Sequence, residues 1–195
     1  MNLDSLRPAI GFFSVPLQGG GGFTWTLTTW LGILLNQVEQ IYGPRDLNYT
    51  LLGVEFNEQG PMLWYPGNRK HVSIILSAEA AHQPNRALWQ LAHETVHLLS
   101  PTQSSAALIA EEGLATLFAS RVSTEYSLGF YTDRQDYREA EEAVSKWLSE
   151  FPSAISATRN LEPCIALWTA RILKEACPGI SDQLAERLCE RFQRL

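Results

Sequence analysis

The chain predicts an α+β fold in which a small, mostly antiparallel sheet is followed by a helical bundle. Three observations carry that expectation. Short β-rich stretches lie between residues 49 and 76, separated by the turn-forming segments Asn57-Glu58-Gln59-Gly60 and Pro66-Gly67-Asn68. Beyond Leu76 the apolar spacing changes to the repeat of amphipathic helices and keeps it to the end. With 195 residues, 45% of them apolar and 18% charged, the chain has the size of one folded core rather than two. Residues 1–195 are therefore expected to form a single domain.

The elements follow in order. Residues 1–22 read as an irregular N-terminal arm ending in the run Gly19 to Gly22, which cannot hold regular structure cheaply and suits a linker. From Phe23 to about Tyr42, Trp30, Leu31, Leu34, Leu35, Val38 and Ile41 recur at helical spacing, and Gly43-Pro44 stops the run. Three strands are expected over Tyr49 to Phe56, Met62 to Tyr65 and Val72 to Leu76, joined as an antiparallel meander. A helix then carries Pro84 in its first turn, contains the stretch His93-Glu94-Thr95-Val96-His97 and ends at Pro101. A second helix is expected from about Ser105 to Ser123. Three more should cover Asp136 to Glu150, Leu161 to Ala176 and Ser181 to Leu195, the last with a stripe of Leu184, Leu188 and Phe192.

Composition narrows the function. A formal charge of −6 argues against a nucleic-acid or anionic-membrane surface, because both require a basic field. Arg69, Lys70 and His71 make the densest basic cluster and read as a loop. The cysteines Cys164, Cys177 and Cys189 form no C-x-x-C pair, which suggests reduced thiols rather than a zinc ribbon or a disulfide framework. Asp4 stands where a signal peptide would place positive charge, and Pro8 and Pro16 interrupt the first apolar stretch. No run approaches the roughly 20 apolar residues of a membrane span. The expectation is a cytoplasmic protein.

Chemistry concentrates in His93 to Glu112. Residues four apart on a helix differ by about 40° in direction, so His93 and His97 can aim two imidazole nitrogens at one ion. Glu94, about 100° round from His93, is poorly placed as a ligand and well placed to reach a water beside the ion. That division, two ligands and a general base, is the mechanical content of H-E-x-x-H. A catalytic zinc needs a third protein ligand and keeps a fourth position for water. Glu112 is the expected third ligand, since it shares a helix face with Leu108, Ala115, Thr116 and Ala119, small or apolar residues that let the face press against the His93 helix. Glu111 points about 100° away, either into solvent or towards a ligand or the substrate. Trp89, four residues before His93, falls on the same face as a cleft wall or as core.

The segment from Leu88 to Ala119 resembles the gluzincins, zinc metallopeptidases with an H-E-x-x-H helix and a glutamate on the next helix. Glu112-Gly113-Leu114-Ala115 is similar to the N-E-G-F-A segment of the zinc aminopeptidases. Glu112, Ala115, Phe118 and Ala119 are similar to the E-x-x-A-x-x-F-A segment of small peptidases that cleave repressors of mobile elements. Both comparisons select Glu112 as ligand. The interval from His97 to Glu112 is shorter than in the large aminopeptidases, the exopeptidase G-x-M-E-N signature is absent, and Thr116 stands where some gluzincins carry an aspartate that orients a histidine, which makes it, with Glu111, a candidate contact of a ligand or the substrate.

The resemblance implies a zincin-like fold holding one Zn2+ ion, a peptide or protein substrate, and hydrolysis of peptide bonds with Glu94 as general base. A narrow substrate, such as one partner protein, fits the small size. Such enzymes add a Tyr or His that stabilises the oxyanion; Tyr126, Tyr131, Tyr137 and His71 are the candidates. An extended substrate would pair with an exposed strand edge at Met62 to Tyr65 or His71 to Leu76. Two other expectations compete: a catalytically inactive metal-binding or protein-interaction module on a gluzincin scaffold, and a zinc hydrolase acting on something other than a peptide.

Overall fold

The computed structural model describes residues 26–67, 70–102 and 107–193. The expected N-terminal arm, the helix start at Phe23, Arg69 of the basic cluster and Ser105 lie outside the described residues. Within them the architecture is α+β, with a small mixed sheet and seven α-helices.

Helix α1 (Leu27–Tyr42) begins where the Thr26 hydroxyl accepts a hydrogen bond from the Thr29 amide. It buries Trp30, Leu31, Leu34, Val38 and Tyr42 along one stripe. Strands β1 (Thr50–Asn57), β2 (Met62–Trp64) and β3 (His71–Ser77) follow in the order β1-β3-β2. β3 runs parallel to β1, from Thr50 opposite His71 to Asn57 opposite Ser77, and antiparallel to β2, from Met62 opposite Ile75 to Trp64 opposite Ser73. The expected antiparallel meander is thus corrected to a mixed sheet. The connection after β1 passes over the end of β3 instead of closing a hairpin. At that crossing a Cβ on Gly60 would lie 2.5 Å from the Leu76 carbonyl oxygen, so a residue with a side chain would not fit without a shift. Turn composition shows that the chain reverses, but not which neighbour it passes over.

Val72 to Ser77 are all buried, as befits a strand paired on both sides. His71 to Leu76 therefore offers no free edge, whereas β2 is an edge strand with Trp64 exposed. After β3 a 3₁₀ turn (Ala78–His82) leads into α2 (Pro84–His97), whose residues Ala87 to Val96 are all buried. The Gln90 side chain fixes α2 to the sheet: its Oε1 accepts from the Ser77 amide at 3.0 Å and its Nε2 donates to Ser77 Oγ at 2.9 Å.

Helix α3 (Ile109–Glu125) packs against α2 and against α4 (Gln135–Glu150). The α3–α4 approach is very close, since a Cβ on Gly113 would lie 2.3 Å from the Ala140 carbonyl oxygen. The single helix expected over Leu161 to Ala176 is corrected to α5 (Ala154–Leu161), a 3₁₀ turn (Ile165–Leu167) and α6 (Ala170–Ala176). Pro163, which has no amide hydrogen to donate, lies at the break. The last helix, α7 (Asp182–Cys189), stops short of the expected Leu195. The chain beyond it turns extended and brackets the start of α3, with the Ile109 amide donating to the Glu190 carbonyl at 2.9 Å and the Phe192 amide to the Ala107 carbonyl at 2.8 Å. All three cysteines are free. Among the described residues no helix is long and apolar enough to cross a membrane.

Candidate metal centre

Helix α2 supplies His93, Glu94 and His97, and the first turn of α3 supplies Glu111 and Glu112. Donor atoms of His93, Glu94 and His97 all lie within 4.8 Å of one another, a group that could hold a metal ion. Glu112 joins it from the facing helix: its Oε2 is 3.1 Å from His93 Nε2 and 3.8 Å from His97 Nε2. For metal–ligand bonds of about 2.0–2.1 Å in tetrahedral geometry, donors stand about 3.3–3.4 Å apart. The observed separations bracket that spacing.

Glu111 is buried, not solvated, and pairs with His97 Nδ1 at 2.8 Å. Held from behind in this way, His97 presents Nε2 towards Glu112, the arrangement in which a carboxylate fixes the tautomer and direction of a ligating imidazole. The expected contact from Thr116 takes another form. Its hydroxyl donates to the Glu112 carbonyl one turn back, at 2.8 Å, and so serves the helix backbone.

The electrostatics favour a cation. Glu94, Glu111 and Glu112 are each 4% exposed, and three buried carboxylates beside two imidazoles are costly without added positive charge. Burial works to lower the His97 pKa, but the hydrogen bond with Glu111 and the charges of Glu112, Glu111 and Glu94 outweigh it and push it up to about 10. His93 Nδ1 and Glu111 Oε2 are buried without a hydrogen-bond partner among the described residues. Two imidazole nitrogens and a carboxylate oxygen, clustered in this way, form a group that could hold a metal ion.

A cavity of about 270 Å³ opens beside His93 and Glu94. Trp89, buried and lining this cavity, stacks on the His93 ring with centroids 5.6 Å apart. Tyr137 also lines it and packs edge-on against His93 at 5.5 Å, with the Arg134 guanidinium 5.0 Å from its ring. Tyr131 lines the same space and is exposed, its hydroxyl 3.2 Å from Thr124 Oγ1. The other two oxyanion candidates fall elsewhere. Tyr126 is buried near the far end of α3, its hydroxyl accepting from Gln37 Nε2 at 3.2 Å and its ring meeting Trp30. His71 starts β3 opposite Thr50 and is no part of the cavity wall.

Sequence reasoning left Glu111 open between solvent, a ligand and the substrate, and the structure pairs it with His97. It missed the ion pair of Arg134 with Asp136, which orders the segment before Tyr137 and for which no signal was visible. Compared with protein-family models, curated proteins and solved structures, the chain matches none. The resemblance to the gluzincins rests on the motif, of which the His93, Glu94 and His97 cluster is compatible with a zincin-type site.

Proposed function

We propose that the chain is a zinc-dependent metallopeptidase. The observation that supports this reading best is the convergence of Glu112 Oε2 on His93 Nε2 and His97 Nε2, with Glu94 in the same cluster and on the wall of an open cavity. His93, His97 and Glu112 would hold the ion, and Glu111 would orient His97. Bound zinc supplies a Lewis acid that polarises a substrate carbonyl and makes water more acidic. Glu94 accepts the proton of the attacking water and returns it to the leaving amine. Tyr137 is the better-placed group to donate to the developing oxyanion, because its ring lies against His93 in the cavity wall. Trp89 shields one face of His93 from water.

Two measurements test the proposal. Metal analysis after zinc loading and desalting should find about one zinc per chain in the wild type, little or none in Glu112→Ala, and zinc retained at reduced affinity in Glu111→Ala. Full zinc in the Glu112 variant would remove Glu112 from the ligand set. Peptide cleavage should fall at least a hundredfold in Glu94→Gln while zinc content holds. Equal cleavage by that variant would refute Glu94 as the base, and zinc binding without cleavage of any peptide by the wild type would favour the non-catalytic module.

A further inference from the structure

Helix α2 carries a further charged side chain on the side of its metal-type residues. Arg86 lies two turns before His93 on the same side of the helix and lines the same cavity. Its guanidinium rests over the Phe130 ring, 5.3 Å from the centroid. Phe130 meets Trp89 edge-on at 5.6 Å, and Trp89 stacks on His93 at 5.6 Å. A continuous aromatic wall therefore ties the position of Arg86 to that of His93.

The donors of Arg86 are scarcely used. It makes one long ion pair, 3.9 Å to Glu79, whose side chain is 69% exposed, and no hydrogen bond to it is seen among the described residues. An exposed pair of that length contributes about 0–1 kcal/mol and is easily exchanged. Arg134, the other arginine of the cavity, differs: its Nε and Nη2 both bond the Asp136 carboxylate. A planar guanidinium held against an aromatic ring in the wall of a cavity matches a carboxylate.

The geometry points to Arg86 as the group that binds a substrate carboxylate, selecting peptides with a negative charge about three residues from the bond cleaved. The spacing follows from the helix. Seven residues at about 1.5 Å each separate Arg86 from His93 by about 10 Å, and an extended peptide covers that in about three residues at roughly 3.3 Å each. The inference rests on the peptidase reading for its substrate. The carboxylate could come from an acidic side chain or from a free C terminus.

The test uses acetylated alanine hexapeptides bearing an uncharged dye and a single Glu or Gln at each position in turn, with free or amidated C terminus. Zinc-dependent cleavage is measured with the wild-type chain, and binding by fluorescence anisotropy with zinc-loaded Glu94→Gln. A carboxylate at one position should improve kcat/KM and affinity at least tenfold. That preference should vanish when Arg86→Ala is introduced and turn towards a Lys-bearing peptide with Arg86→Glu. A preference for the free C terminus alone assigns the carboxylate to the chain end; a preference for Glu in amidated peptides assigns it to a side chain. Cleavage without carboxylate preference, or a preference that survives Arg86→Ala, overturns the inference and leaves the peptidase reading intact. Preferential binding with no cleavage by the wild type overturns the peptidase reading and keeps Arg86 as a carboxylate site. Absence of binding by every peptide overturns the inference as well.

Discussion

The cavity beside His93 is lined by Arg86 and Arg134, a larger one of about 610 Å³ beside Leu99 by Arg45 and Arg159, and Arg86 and Arg159 are used in opposite ways. Arg159 donates to four backbone carbonyls: Tyr42 at 2.8 Å, Pro44 at 2.6 Å, Pro163 at 3.3 Å and Leu99 at 3.4 Å. Tyr42 closes α1, so Arg159 satisfies a carbonyl that a helix end leaves without an intrahelical partner, while the Leu99 carbonyl, just past α2, also accepts from the Asp46 amide at 3.0 Å. Burial lowers its pKa, as expected of a cation drawn into the structure to hold it together. Arg86 has a single loose ion pair and an aromatic ring beneath it. Where the hydrogen-bond donors of an arginine go thus separates a brace from a binding group better than cavity size does.

The sharpest way to break that contrast is Arg159→Met. The variant keeps much of the aliphatic stem and takes this donor from the Tyr42, Pro44 and Pro163 carbonyls, while Leu99 keeps the Asp46 amide. Losing several charge-assisted bonds should cost about 3 kcal/mol, because each unsatisfied group costs about 1–3 kcal/mol and water reaches part of this site. For a chain of this length that corresponds to a fall in melting temperature of roughly 6–12 °C. Urea and thermal unfolding measure the loss. Zinc affinity of the folded protein should change less than tenfold. A stability loss below about 1 kcal/mol would show that the carbonyls find other partners and that Arg159 is no brace.

What the sequence made legible was local. His93, Glu94 and His97 stand on one helix turn, so their relative placement needs no knowledge of the tertiary fold, and the apolar spacing of α1 and α4 is similarly self-contained. Glu112 could be chosen because small residues surround it on its face. Long-range relations were hidden. That β1 pairs with β3 depends on a connection passing over a strand end. Glu111 meets His97 across the contact of α3 with α2, which lies outside any local pattern. Among Tyr126, Tyr131, Tyr137 and His71, spacing carries no information on which residue reaches the cavity. Gly113 was visible as part of a motif, while its physical reason, the backbone of α4 at Ala140, lies on another helix.

A medium effect sharpens the metal side of the comparison. Glu111 holds His97 Nδ1 at 2.8 Å, so under the proposed function it would act on the ion through the imidazole. Partners of this kind contribute about 10–100-fold in metal affinity, about 1.4–2.8 kcal/mol. Glu111→Gln keeps an acceptor for the Nδ1 hydrogen and loses the charge; Glu111→Ala loses both. Competition with a zinc-binding dye should place the Gln variant near the tenfold end and the Ala variant near the hundredfold end. Equal losses would assign the whole effect to charge, and no loss in either would free Glu111 from any role in orienting His97.

The smallest expected effect on stability is the most telling about function. Arg86→Ala removes a cation–π contact of about 0.5–1 kcal/mol and an exposed pair of about 0–1 kcal/mol. Alanine also suits a helical position slightly better than arginine, which offsets part of the loss. The unfolding free energy measured in urea should therefore fall by no more than about 1 kcal/mol, roughly a third of the Arg159→Met loss. A larger loss, about 2 kcal/mol or more, would mean that Arg86 holds Phe130 and Trp89 in place and is itself a brace. The contrast between the two cavities would then fail at its functional end. A small loss, together with weakened binding of carboxylate-bearing peptides, would leave one arginine holding helix ends and the other open to a ligand.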